Sequence, residues 1–198
     1  DGMTIAVEEI NANGGLLGKQ IELVVEDTSG VPEKGVAAFE RLASSEGVVA
    51  VTGSAHSAVC TAVGPVAEKY EIPFVAGECW SDAVTAAGIP EVFRITVANS
   101  LVYSVAADWV KEAGFKNIAI ISENSDWGFG IIDVFTKNLQ DTGANVTSFT
   151  AERTVSDFTP QLLQLKRADP QPDLIVAGFT GSNLLLMLRQ AYDLGLAP

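Results

Sequence analysis

Ser57, at the end of a predicted buried strand, is the strongest candidate for contact with a small ligand. Residues 48–52 (Val-Val-Ala-Val-Thr) form the kind of β-branched run that is typical of a parallel strand buried on both faces. Gly53 and a polar turn follow, and residues 58–70 have the pattern of a helix. A strand, turn and helix in this order direct free N–H groups at one point, which suits an anion such as a carboxylate. Ser57 can cap the helix or offer its hydroxyl to a ligand, and both roles remain open.

Acidic and aromatic residues follow the other predicted strands and indicate a second kind of contact. Glu78 and Trp80 follow one strand, while Trp127 and Phe179 follow two others. In open parallel sheets, ligands bind beyond the C-terminal ends of the strands, so these side chains should line one cleft. A carboxylate beside aromatic faces favours a cation or an aromatic group. The predicted ligand contacts are Ala55, His56, Ser57, Glu78, Cys79, Trp80, Asn99, Trp127 and Phe179.

Enzymatic function is the main alternative, and the motifs give it little support. His56 is the single histidine and directly precedes Ser57. Adjacent residues that leave a strand seldom face each other, which argues against a Ser–His dyad, and no G-x-S-x-G elbow is present. Gly128-Phe-Gly130 opens a helix as a dinucleotide fingerprint would, but Asp133 stands where the third glycine belongs. We therefore predict a binding protein that needs neither catalytic residues nor a cofactor.

The chain offers few candidate residues for metal binding or for redox chemistry. Glu123 and Asp126 are candidate metal ligands, although carboxylates on such loops are more often solvated, and we predict no metal site. Cys60 and Cys79 form neither a CxxC pair nor a zinc pattern. If their two strands are neighbours, they can pair as a disulfide in an oxidising compartment, and otherwise they are buried thiols.

Charge and composition limit the partners. The 198 residues carry a formal net charge of −13, without a cluster of Lys or Arg, which disfavours nucleic acid and anionic membranes. The 47% hydrophobic content is that of a globular protein with an ample core. No apolar run approaches the roughly 20 residues that span a bilayer, and no signal-peptide pattern is present in the chain as given.

Strands and helices alternate along the chain, which predicts an α/β fold with two doubly wound parallel sheets. We expect an N-terminal lobe at residues 1–97 and a second lobe at residues 98–198, with the ligand cleft between them. The predicted strands are 21–26, 48–52, 72–76, 92–95, 117–122, 144–151 and 173–178. The predicted helices are 3–13, 32–45, 58–70, 81–87, 101–113, 129–142, 158–168, which Ser156 and Asp157 should cap, and 182–194. Trp109 has core spacing on its helix and should pack inside.

Several motifs, in order, resemble the branched-chain amino-acid (Leu/Ile/Val) binding proteins, the type I periplasmic solute-binding components of ABC transporters. The resemblance covers essentially the whole chain, and the order and spacing of the motifs make it specific. The motifs are Ile10-Asn-Ala-Asn-Gly-Gly15, Gly53-x-x-x-Ser57, Pro65-Val-Ala-Glu-Lys-Tyr-Glu-Ile-Pro73, Phe93-Arg94, Trp127-Gly-x-Gly130, Asp157-Phe158 and Leu185-x-x-Leu-Arg-Gln-Ala-x-x-Leu-Gly195.

The resemblance implies two lobes that close on a small solute without covalent chemistry. It implies that Ser57 and nearby N–H groups hold a carboxylate, and that the positions of Glu78 and Trp80 lie near an ammonium group. Trp80 replaces a hydroxyl residue there, which argues against a plain aliphatic amino acid. Trp127 and Phe179 match aromatic residues of the second lobe. ABC permease subunits and a periplasmic or extracellular location follow from the same resemblance.

Two further expectations concern the whole protein. The family has a strand before Met3 and segments after residue 198, so we expect this chain to be an internal piece of a longer protein. The same fold also serves receptors and regulators, so a ligand-sensing domain is the alternative to a transport component.

Overall fold

The computed structural model describes residues 2–45 and 47–196, and it confirms the predicted alternation of helices and strands. The predicted outer limits of the lobes, residues 1 and 198, lie outside the described residues. The strands are β1 Val51–Gly53, β2 Phe74–Ala76, β3 Val92–Arg94, β4 Asn117–Glu123, β5 Asn145–Ala151 and β6 Leu174–Gly178. The helices are α1 Gly2–Ala12, α2 Pro32–Ala43, α3 Ser57–Tyr70, α4 Ala83–Ala86, α5 Asn99–Ala113, α6 Asp126–Leu139, α7 Thr159–Arg167 and α8 Gly181–Asp193, with a 3₁₀ turn at Gln140–Thr142.

The described strands form two separate parallel sheets of three strands each. The first has the order β1-β2-β3, and the second has the order β5-β4-β6. In the first sheet Gly53 pairs with Ala76, which in turn pairs with Arg94. Because all strands in a sheet point the same way, the loops that follow them lie along one edge. We call residues 2–97 the first lobe and residues 98–196 the second lobe.

Strand β4 is the centre of the second lobe and is covered on both faces. Ile118 and Ile120 face one core cluster, whose other members come mainly from α5 and α6. Ala119 and Ile121 face a second cluster, which includes Phe158 near the start of α7. This alternation follows from the two-residue period of a strand, and it explains why the whole run is apolar.

The core of the first lobe lies between its sheet and the pair α2 and α3. Phe39 of α2 meets Phe74 of β2 edge-on, with ring centroids 6.1 Å apart. Cys60 and Cys79 are joined as a disulfide with their Cα atoms 6.4 Å apart, which decides between the two alternatives that the sequence left open. The disulfide ties the first turn of α3 to the loop after β2, directly beside Ser57.

Three local predictions are wrong. Residues 21–26 form no strand, because no described segment pairs with their backbone, and the Asn11 side chain instead binds the N–H and carbonyl of Ile21 at 2.8 Å each. Helix α7 has Phe158 as its N-cap, while Asp157 accepts a 2.9 Å bond from the Thr159 N–H. Trp109 is 54% exposed, and its ring lies 5.5 Å from the Phe115 ring, measured between centroids.

Candidate ligand-binding cleft

The turn between β1 and α3 leaves two free N–H groups at the start of the helix. Ser54 adopts a left-handed conformation (φ 61°), and its Oγ accepts a 3.3 Å bond from the His56 N–H. His56 is the N-cap residue, and its carbonyl accepts the N–H groups of Val59 and Cys60. The N–H groups of Ser57 and Ala58 form no hydrogen bond with any described residue. They lie at the positive end of a 14-residue helix, where an anion is favoured.

Ser57 does not cap α3, so the capping alternative is wrong. It is the first helical residue and 4% exposed, and its Oγ accepts a 3.0 Å hydrogen bond from the backbone N–H of Ser81. Arg94 donates to the Ser81 carbonyl at 2.9 Å, which fixes Ser81 and so stabilises the bond between its N–H and Ser57 Oγ. Since the Ser57 hydroxyl acts only as an acceptor toward the described residues, its proton remains available for donation.

Asn99 joins the two lobes at the start of α5. Its backbone N–H donates to the Trp80 carbonyl at 2.7 Å, and its side-chain amide donates to the Trp127 carbonyl at 2.8 Å. A Cβ on Gly130 would lie 2.2 Å from that amide nitrogen, so this position requires glycine. Asn99 is completely buried and positions the two tryptophan segments, and its contact with a solute stays a prediction.

The aromatic candidates divide into two groups. Trp80 and Trp127 are half-buried and keep surface toward solvent. Trp127 packs against the core of the second lobe, next to Tyr103, and burial raises the pKa of the Tyr103 phenol. Phe179 is only 3% exposed and meets Phe158 edge-on at 4.9 Å, so it packs in the core of the second lobe, and its contact with a solute stays a prediction.

The remaining predicted contacts of the first lobe also differ in exposure. Glu78 and Ala55 are exposed, and the Glu78 carboxylate pairs with no described residue. Cys79 is fully buried in the disulfide, so only its neighbours can reach a solute. The described residues contain no group of three or more His, Cys, Asp or Glu side chains that could hold a metal ion, Glu123 and Asp126 included.

Arg153, in the loop after β5, was not predicted from the sequence. Its guanidinium crosses from the second lobe to the first, where it contacts His56 Nε2 and donates to the Ser29 carbonyl at 3.2 Å. The only signal in the sequence is a basic residue just past the end of a strand. Ser29 and His56 are separated from it by 124 and 97 positions, so no local pattern links them.

Two open cavities lie beside these groups. One of about 800 Å³ lies between the lobes. It is lined by residues 81–83 of the first lobe and by Ser100 and the α6 residues 129, 130, 132–134 and 136–138 of the second. The other, of about 510 Å³, lies at the end of β5 and is lined by Asn124, Glu152 and their neighbours. Within the described residues, neither cavity is lined by Ser57, Glu78 or Trp127. Hydrogen bonds therefore link Trp80, Asn99 and Trp127, and neither of these two cavities encloses the predicted contacts.

Comparisons with known proteins identify the class. The family model described as "Periplasmic binding protein" matches residues 1–198, and the chain belongs to this family. It is 28% identical over 196 residues to the Leu/Ile/Val-binding protein BraC3 of Rhizobium johnstonii, covering 98% of this chain and 53% of that protein. The chain thus spans about half the length of the curated relative.

Solved structures agree on the fold. The leucine-binding protein LivK of Thermotoga maritima superimposes with a TM-score of 0.89 at 27% identity, over 98% of this chain and 54% of that one. A solute-binding protein of an ABC transporter from Rhodopseudomonas palustris, in complex with benzoate, superimposes with a TM-score of 0.85 over 98% of this chain and 54% of that one. At 24% identity, the second likeness shows the fold alone. None of the described helices is both long and apolar enough to cross a bilayer.

Proposed function

We propose that this chain is part of the solute-binding component of an ABC transporter, outside the cytoplasm, and that it holds a small carboxylate by closure of two lobes. The observation that carries the proposal is the start of α3, where the free N–H groups of Ser57 and Ala58 accompany the Ser57 hydroxyl. Membership of the periplasmic binding protein family supports the location and the class of partner, which is the permease of the transporter.

The start of α3 suits a carboxylate for electrostatic reasons. Two N–H groups and one hydroxyl give three donors to an acceptor-only ligand group, and the helix dipole adds to their attraction. Closure of the second lobe would exclude water, and each hydrogen bond is electrostatically stronger at a lower local dielectric. The relative from Rhizobium johnstonii is named for amino acids, and the structure from Rhodopseudomonas palustris contains benzoate. A carboxylate is common to both kinds of solute.

The rest of the solute would meet Glu78, Trp80 and Trp127. Glu78 is exposed and unpaired among the described residues, so it is free to attract an ammonium group. Trp80 and Trp127 offer aromatic faces that hold either an alkyl chain, an aromatic ring or a cation. We therefore favour an amino acid or a related carboxylate with an amine, and place aromatic carboxylates second.

A titration followed by tryptophan fluorescence tests the proposal in the complete gene product. Trp109 is exposed and is not among the predicted solute contacts, so Trp109→Phe removes background signal. Trp80 argues against a plain aliphatic side chain, but leucine and isoleucine serve as the reference zwitterions because relatives of the chain are named for them. We expect a saturable change with one of these or with a related zwitterion in this variant, and a weaker or absent change with benzoate and glycine betaine. A folded protein that responds to none of these solutes would contradict the proposal and favour a sensor for another ligand class.

A further inference from the structure

We propose that Arg153 is the closure residue of the cleft. Through its side chain, the second lobe binds the part of the first lobe that holds the solute carboxylate. This inference rests on the proposed function for the identity of the solute, and on the structure alone for the contact between the lobes. Arg153 belongs to the loop after β5, whereas both of its partners, Ser29 and His56, belong to the first lobe.

The first lobe is shaped to receive the guanidinium. Arg153 Nη2 donates to the Ser29 carbonyl at 3.2 Å, and Nη1 contacts His56 Nε2. An arginine side chain has no acceptor, so Nε2 must accept and the histidine carries its proton on Nδ1. A Cβ on Gly30 (φ 65°) would lie 2.2 Å from Arg153 Nη1 and 2.8 Å from the His56 ring, so only glycine leaves room for the contact.

The second lobe fixes the backbone of Arg153. The Asn183 side-chain amide, in the first turn of α8, donates to the Arg153 carbonyl. The backbone of the loop is therefore fastened to its own lobe while the side chain reaches the other. A residue held in this way transmits a movement of one lobe to the other, which is what a closure contact requires.

The charge of Arg153 is uncompensated, and this links closure to the solute. Both of its partners are neutral acceptors, and it takes part in none of the four ion pairs found in residues 2–45 and 47–196. This is notable in a chain with a net charge of −13. His56 directly precedes Ser57, so a carboxylate at the start of α3 supplies a counter-charge for Arg153. An anionic solute and the closed arrangement then stabilise each other.

Distances between two spin labels test the closure directly. Exposed positions on opposite lobes, Glu68 in α3 and Gln164 in α7, are changed by Glu68→Cys and Gln164→Cys in the complete gene product, with the disulfide intact. We expect a short-distance population without solute, which grows on addition of leucine. Arg153→Gln should reduce it and raise the Kd for leucine about tenfold, mainly through faster dissociation, as expected for a lost charge-assisted contact.

Two further variants show whether the changes in distance and Kd in Arg153→Gln come from the loss of its contact with His56. Arg167→Gln removes an equal charge from an exposed position on α7 and should change neither the distances nor the Kd. His56→Phe removes the acceptor, so Arg153→Gln should add little to it in a double-mutant cycle. Distances and dissociation rates for Arg153→Gln that equal those of Arg167→Gln would overturn the proposal. If no solute binds the parent protein, the proposed function fails, whereas the solute-free distances still decide the role of Arg153.

Discussion

The side-chain amide of Asn99 donates a 2.8 Å hydrogen bond to the backbone carbonyl of Trp127, across 28 positions of sequence. The backbone N–H of the same asparagine donates to the Trp80 carbonyl at 2.7 Å. One fully buried residue thus holds the loop after β2 and the start of α6 at a set separation. Each of these two segments carries a half-buried indole, so Asn99 controls how the two aromatic faces lie relative to each other.

Replacement of Asn99 should destabilise the protein and loosen the junction of the lobes. We expect Asn99→Ala to lower the free energy of unfolding by about 1–3 kcal/mol, because the part-buried Trp127 carbonyl loses the Asn99 amide as a donor. Asn138→Ala is the matched control, since its amide donates to the Val134 carbonyl at 2.9 Å within α6 alone. Urea unfolding measures the stability, and the spin-label distances measure the junction. A change of interlobe distance that is equal in both variants would refute the junction role.

Removal of the Ser57 hydroxyl should weaken solute binding. In Ser57→Ala the buried carboxylate would lose one donor, which costs about 1–3 kcal/mol of binding free energy. Calorimetric titration with leucine measures the loss. Thr52→Ala, which removes an exposed hydroxyl on β1, should leave the affinity unchanged. Equal affinities in Ser57→Ala and the parent protein would limit Ser57 to its bond with the Ser81 N–H.

Glu78 should distinguish solutes by their charge. Glu78→Gln keeps the shape of the side chain and removes its charge, so leucine, with its ammonium group, should bind about tenfold more weakly, as for a lost charge-assisted hydrogen bond. Benzoate, which has no ammonium group, should bind equally well or slightly better. Glu68→Gln alters an exposed carboxylate on α3 and should affect neither solute. A parallel loss for leucine and benzoate would remove Glu78 from the ammonium site.

The disulfide should stabilise the first lobe by closing a short loop. Cys60 and Cys79 are 19 positions apart, and a cross-link of this span contributes about 3 kcal/mol in the chain-entropy model. The variant with Cys60→Ala and Cys79→Ala should unfold at a lower urea concentration. A reductant should destabilise the parent protein to a similar degree and leave the variant unaffected. Stability that is the same with and without reductant would contradict this role.

Local sequence was sufficient wherever one segment carried a complete pattern. Strand β4 was predicted because its apolar run reflects burial on both faces, and α5 was predicted to end where Gly114 adopts its left-handed conformation. The position of Ser57 at the end of a strand and the start of a helix was recognisable for the same reason. In each case the responsible interactions lie within a few residues of each other.

The sequence by itself determined the parallel α/β plan and the placement of candidate ligand contacts at the strand ends. The tertiary structure decided which of those residues remain accessible: Phe179 packs on Phe158, while Trp127 keeps surface toward solvent. It also decided that residues 21–26 form no strand and that Arg153 meets His56, 97 positions away. The physical reason is that strand pairing, burial and contacts between lobes depend on partners distant in sequence, which no local periodicity encodes.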